Sequence, residues 1–301
     1  MNPDFGQLPT GNYGADMNTD FGAVGVVGSG IMAAGIVEVI AAAGYDVVVR
    51  ARTGAGAAAV KESIDARLTK MVARGRCDDE TRQATIDHIE TTEHLGDLAH
   101  CDLVIETVIE NLTVKRHVMA ELGAHLRPEA IIVTNTSTLP VVELAVASGR
   151  PDKVAGLHFF NPATAMTLVE IVRPITASDS TISTLHRFAT TCGREIVEVA
   201  DRAGFVVNAL LFPYLNAAIA MAERGTASID DIDMAMKGAC GFPMGPFELL
   251  DLVGLDTSLS ILEALHREFG DPGMVPHPAL RRLVAAGHLG RKTGRGFRTH
   301  S

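Results

Sequence analysis

His158 closes the apolar stretch Gly156-Leu157-His158-Phe159-Phe160, and Asn161-Pro162 then breaks the run. A second apolar segment, Leu168-Val169-Glu170, returns with a carboxylate twelve residues after the histidine. If the two segments fold back on one another, imidazole and carboxylate meet. A histidine oriented by a carboxylate is an acid/base of fixed tautomer, suited to moving a proton onto or off an oxygen. Taken alone, such a pair is more often a core histidine bonded to backbone beside a surface glutamate. The other motifs decide between these readings.

Gly28-Ser29-Gly30-Ile31-Met32-Ala33 matches the pattern GxGxxG/A, placed between the apolar run Ala23-Val24-Gly25-Val26-Val27 and a small-residue helix that reaches about Gly44. The first glycine permits a tight turn, the second lets backbone approach a pyrophosphate, and Ala33 is small enough for helix to pack on strand. Gly28, Ser29, Gly30, Ile31 and Met32 are therefore the expected dinucleotide contacts, with phosphate seated on the helix N-terminus. The next strand ends in Val49-Arg50-Ala51-Arg52-Thr53. An NAD site places an acid there for the ribose 2′-hydroxyl, whereas a 2′-phosphate calls for arginine. Ala51 stands where the acid would be, with Arg50 and Arg52 on either side and a hydroxyl at Thr53, so NADP(H) is expected over NAD(H).

Alternation of strands and helices positions these groups. Strands are expected at Asp46 to Val49, Leu103 to Glu106 and Ile131 to Thr134, and helices at Ala55 to Arg74 and Leu112 to Leu126. Further strands at Val154 to Leu157, Val169 to Val172 and Ile196 to Val199 extend the sheet, the first two joined by too few residues for a helical crossover. After Gly204 only helices are read: Val206 to Arg224, Ser228 to Lys237, Leu255 to Phe269 and Ala279 to Gly287. The fold class is α/β: a doubly wound, Rossmann-type, mostly parallel sheet followed by an all-helical C-terminal domain. The expected divisions are a disordered tail over 1–20, a dinucleotide-binding domain over 21–203 and a helical substrate and dimerisation domain over 204–301.

Bulk composition excludes several classes. The 301 residues are 47% hydrophobic and 21% charged with net charge −10, so neither nucleic acid nor an anionic membrane is an expected partner. Apolar runs such as Ile36 to Ala43 are short and broken by Glu38, and residues 1–20 do not read as a signal peptide. Cys77, Cys101, Cys192 and Cys240 show no CxxC spacing, so no metal site or disulfide framework is read and a cytoplasmic location is expected.

The glycine turn, Asn135-Thr136-Ser137-Thr138, His158-Phe159-Phe160-Asn161-Pro162, Glu170, Gly204-Phe205-Val206-Val207-Asn208 and Pro243-Met244-Gly245-Pro246 together resemble the 3-hydroxyacyl-CoA dehydrogenase family, particularly the short 3-hydroxybutyryl-CoA dehydrogenases. The likeness runs from about Phe21 to Phe297 and rests on several separate motifs in the family's order. It implies a substrate cleft between two domains, dimerisation through the C-terminal one, and the (S) alcohol. By that resemblance His158 is the acid/base for the 3-hydroxyl, Glu170 orients it, and Ser137 and Asn208 hold the reacting oxygen or the thioester region. The bland readings are a helix cap for Ser137 and a first-turn helix residue for Asn208. Glu110, Lys115 and Asn135 match cofactor-side positions, although Glu110 and Lys115 could equally be a surface pair. Ser63 and Lys70, seven apart on one helix face, match positions that contact CoA.

The chain departs from the family pattern at Ala51 and in the loop Asn161 to Thr167, which lacks a second proline and a lysine. With no tryptophan and 5% aromatics, a short acyl chain is favoured. The expectation is an NADP(H)-dependent 3-hydroxyacyl-CoA dehydrogenase, working as a 3-ketoacyl-CoA reductase on a substrate such as acetoacetyl-CoA. The rivals are the same chemistry on an acyl carrier protein, a non-catalytic nucleotide-binding protein, and an oxidoreductase for free hydroxy acids.

Overall fold

The computed structural model describes residues 21–300, so the expected N-terminal tail lies outside the described residues. The chain divides into two compact units between Asp201 and Arg202.

The first unit contains β1 (Ala23–Val27), α1 (Ile31–Ala42), β2 (Asp46–Arg50), α2 (Gly54–Ala73), α3 (Asp79–Asp87), β3 (Ile89–Thr92) and β4 (Leu103–Glu106). It continues with α4 (Leu112–His125), β5 (Ile131–Thr134), α5 (Val141–Ala147), β6 (Val154–Phe159), β7 (Leu168–Arg173), α6 (Asp179–Thr191) and β8 (Glu195–Ala200). The eight strands form one sheet in the order β3-β2-β1-β4-β5-β6-β7-β8. Every pairing is parallel except β6 with β7, which are antiparallel. The central strands β1, β4, β5 and β6 are buried along their whole length, as expected for apolar runs covered by helices on both faces. One apolar layer joins Val24, Val26 and Leu157 to Ile36 and Ile64, and the other joins Val104 and Ile132 to Met119 and Leu122.

The doubly wound sheet follows the sequence reading, with three additions. α3 and β3 were not expected, because β3 buries only Ile89 of its four residues and therefore carries little apolar signal. α6 was also unexpected, although Ser178 caps it and Ile182, Leu185, Phe188 and Ala189 make a helical stripe. It supplies the crossover that lets β7 and β8 run parallel.

The second unit contains α7 (Val207–Glu223), α8 (Ile229–Cys240), α9 (Pro246–Val253), α10 (Leu255–Phe269) and α11 (Pro278–Ala285) around Phe212, Leu215, Phe247, Leu262 and Leu280. α9 was not anticipated from the sequence; Pro246 sits in its first turn, where a missing N–H costs nothing. The basic, glycine-rich segment after α11 is tied down by two buried acids. Asp251 accepts from the backbone N–H groups of Phe297 (2.8 Å) and Arg298 (2.9 Å), while Asp233 takes the Arg298 guanidinium and the N–H groups of Phe247 and Glu248.

Candidate active site

At the end of β1, Gly28 has φ +145, and a Cβ there would overlap Thr107 Oγ1 and lie 2.9 Å from the Thr107 carbonyl oxygen. Only glycine turns the chain here. Gly30 is the N-cap of α1 with no side-chain capping bond, and a Cβ at Gly30 would meet nothing within 4 Å. Ser29 is exposed, Ile31 is 80% exposed and Ala33 is buried against the sheet. The helix therefore presents unsatisfied N–H groups to open space with no acid in its first turn, which suits a pyrophosphate. Met32 packs against the core and supplies its backbone.

The end of β2 holds the residues that would meet the adenosine ribose. Ala51 is buried, Arg52 and Thr53 are exposed, and the Thr53 hydroxyl caps α2 by accepting from Gly56 N at 3.1 Å. Arg50 Nε donates to the carbonyl of Glu93 (3.3 Å), and the Glu93 carboxylate accepts from Gly54 N (2.6 Å). Glu93 escaped the sequence reading because it follows β3, the strand with the weakest signal.

A carboxylate network joins β4 to the loop after β5. Glu106, at 0% exposure, accepts from Lys115 Nζ (2.8 and 3.0 Å), Thr134 Oγ1 (2.7 Å) and Val108 N (2.6 Å). Lys115 is 1% exposed, and its ammonium also donates to the Val108 carbonyl (3.2 Å) and lies 3.5 Å from Glu110. Lys115 is thus not half of a surface pair: its ammonium is buried against Glu106. Glu110 accepts from Thr136 Oγ1 (2.5 Å), from Ser137 N (3.0 Å) and, at 3.4 Å, from the Ser137 and Thr138 hydroxyls. Ser137 is not a helix cap, because α5 is capped by Asp201, which accepts from Val141 N (2.9 Å) and Val142 N (2.7 Å). Asn135 accepts from Phe159 N (2.8 Å), pinning the residue after His158.

His158 and Glu170 are register partners across the antiparallel β6–β7 pair. That pairing brings together two residues twelve apart: the imidazole Nδ1 lies 2.8 Å from Glu170 Oε2, with Glu170 at 0% exposure. The carboxylate fixes the donor at Nδ1, so in the neutral ring Nε2 is the acceptor nitrogen. The Phe160 ring lies 4.6 Å from the imidazole, centroid to centroid.

A cavity of about 490 Å³ opens between α1, α2 and the 161–164 loop, lined by Gly30, Glu38, Ser63, Arg67, Asn161 and Thr164 among others. Glu38 is buried and holds Arg67 through Nε (2.6 Å), and burial lowers the guanidinium pKa from its ordinary value. Ser63 borders this cavity, while Lys70 is exposed near the end of α2. Asn208 belongs to the second unit, where it is buried in the first turn of α7. Glu93, Glu106, Asp201 and the Glu38–Arg67 pair are the polar groups that sequence reasoning missed.

A glycine turn opening onto a bare helix N-terminus, in one sheet with a carboxylate-held histidine, defines a dinucleotide-dependent oxidoreductase. Comparison with known proteins narrows that class. Residues 23–202 match the NAD-binding domain of 3-hydroxyacyl-CoA dehydrogenase and residues 204–300 match its C-terminal domain. The 3-hydroxybutyryl-CoA dehydrogenase of Mycobacterium tuberculosis is 42% identical over 92% of this chain and 98% of its own length. The mitochondrial hydroxyacyl-coenzyme A dehydrogenase of Sus scrofa is 42% identical over 91% of this chain and 90% of its own. Among solved structures, M. tuberculosis FadB2 superposes with TM-score 0.91 at 42% identity, covering 93% of this chain and 99% of the other. The (S)-3-hydroxybutyryl-CoA dehydrogenase of Ralstonia eutropha gives TM-score 0.90 at 34% identity, covering 93% and 99%. The chain belongs to the 3-hydroxyacyl-CoA dehydrogenase family.

Proposed function

We propose that this protein interconverts a short-chain (S)-3-hydroxyacyl-CoA and its 3-ketoacyl-CoA, with NADP(H) preferred over NAD(H). The observation that carries the chemistry is the buried His158–Glu170 pair across β6 and β7. The relatives named 3-hydroxybutyryl-CoA dehydrogenase support the substrate class. A nicotinamide cofactor, when bound, accepts or delivers the hydride at C3. Gly28, Ser29 and Gly30 shape its phosphate seat at the start of α1. In oxidation, His158 takes the hydroxyl proton at Nε2 while Glu170 holds Nδ1 and stabilises the imidazolium that forms. In reduction, the same nitrogen returns the proton to the developing alkoxide. Asn135 fixes the strand end beside His158, and Glu110 holds Ser137 where a hydroxyl can address the substrate oxygen.

The cofactor preference rests on Arg50, Arg52 and Thr53 around an apolar Ala51. Cytoplasmic location, dimerisation through the helical unit and a role for Asn208 in holding the substrate belong to the same proposal. The test is the initial rate of acetoacetyl-CoA reduction with NADPH and with NADH. A higher kcat/KM with NADPH is expected. An NADH preference would refute the 2′-phosphate reading, and no rate with either cofactor would shift the substrate to a carrier-bound acyl group.

A further inference from the structure

We propose that Glu93 sets the cofactor ratio by acting as an internal anion that competes with a 2′-phosphate. The inference rests on the dinucleotide reading of the first unit, and it goes beyond the arginines that the sequence offers.

Three groups are suited to a 2′-phosphate at the end of β2: the guanidinium groups of Arg50 and Arg52, and the N–H groups that open α2 after Thr53. The Glu93 segment is attached to two of the three. Its carboxylate accepts from Gly54 N at 2.6 Å, which is the first N–H of α2, and its carbonyl accepts from Arg50 Nε at 3.3 Å. The parallel pairing of β2 with β3 puts Arg50 beside Thr92, so the residue following Thr92 crosses the end of β2. A carboxylate seated there puts a negative charge on the first N–H of α2. A phosphate dianion brought to the same N–H groups would meet a like charge and would have to displace a hydrogen bond already made. The uncharged 2′-hydroxyl of NAD(H) incurs no such repulsion. Glu93 therefore restrains NADP(H) binding and leaves NAD(H) binding nearly untouched.

The test is Glu93→Gln, which keeps an acceptor for Gly54 N and removes the charge. Dissociation constants of NADPH and NADH are measured by fluorescence titration on the full-length protein, wild type and variant, at low and high salt. The expected result is roughly tenfold tighter NADPH binding with NADH changed less than twofold, the worth of one relieved like-charge contact. That gain shrinks at high salt because the site is exposed. Arg52→Ala supplies the opposite sign, weakening NADPH alone. Unchanged binding of both cofactors, an equal change in both, or weaker NADH binding in Glu93→Gln would each overturn the proposal. If the wild type prefers NADH while the variant still gains on NADPH, the preference reading fails and the role of Glu93 stands.

Discussion

Glu106 and Glu170 are both wholly buried carboxylates in the same sheet, yet their partners give them opposite roles. Glu106 is held by the Lys115 ammonium, by a hydroxyl and by a backbone N–H. With three kinds of donor already on this carboxylate, the arrangement is a structural tie. Glu170 is bonded to an imidazole, the side chain that changes charge near neutrality. The difference teaches that burial of an acid does not by itself mark chemistry; the identity of the cation does. Lys115 is committed to the buried Glu106, whereas Glu170 orients an imidazole, a group whose chemistry is proton exchange.

Substitutions should separate the two roles. His158→Gln is expected to reduce kcat by roughly 100- to 10,000-fold, the usual worth of a positioned acid/base, with cofactor affinity nearly unchanged. Steady-state kinetics beside cofactor titration would check this, and undiminished turnover would remove His158 from the mechanism. Lys115→Met should act mainly on stability. Leaving Glu106 buried without its counter-charge costs about 3–5 kcal/mol, read as a lower urea midpoint at unchanged m-value. A variant as stable as wild type would dissolve the contrast between the two acids. Glu170→Gln keeps an acceptor for Nδ1 but removes the charge that supports the imidazolium, and should lower kcat by roughly tenfold or more. Its thermal stability should change far less than that of Lys115→Met.

β4 and the middle of β7 are closed to solvent, and the thiols near them offer a probe. Cys101 precedes β4, which carries Glu106, and Cys192 ends α6, which follows β7. Burial pushes both thiols up to about 12, so neither is a thiolate at pH 8. An alkylating reagent at that pH is expected to modify the exposed Cys240 of the native protein and to spare Cys101 and Cys192. Rapid labelling of Cys101 alone would show that the Glu106 side opens more readily.

The sequence made the sheet legible where strands are apolar and long, as at Ala23–Val27 and Ile131–Thr134, and it placed His158 and Glu170 near one another because an Asn-Pro break between apolar runs implies a return. It did not reveal the partners of buried acids. Glu106 reads as the ordinary end of a strand, and its ties to Lys115, Thr134 and Val108 depend on register between β4 and β5. Glu93 follows a strand with one buried residue, too weak a signal to locate. Asp201 caps a helix sixty residues earlier, a contact that no local pattern encodes.

The smallest expected effect concerns how Glu170 is held. β7 lies between β6 and β8, and α6 is the crossover that delivers β8 to its parallel partner. Ser178 caps α6 by accepting from Thr181 N. Ser178→Ala should therefore cost about 1 kcal/mol of stability, the usual worth of a helix cap. Because β6 pairs with β7 independently of α6, kcat should remain at the wild-type value. A fall in kcat at full occupancy by cofactor and substrate would mean that the placement of Glu170 depends on the whole β7–α6–β8 unit, making its position as collective as that of Glu106.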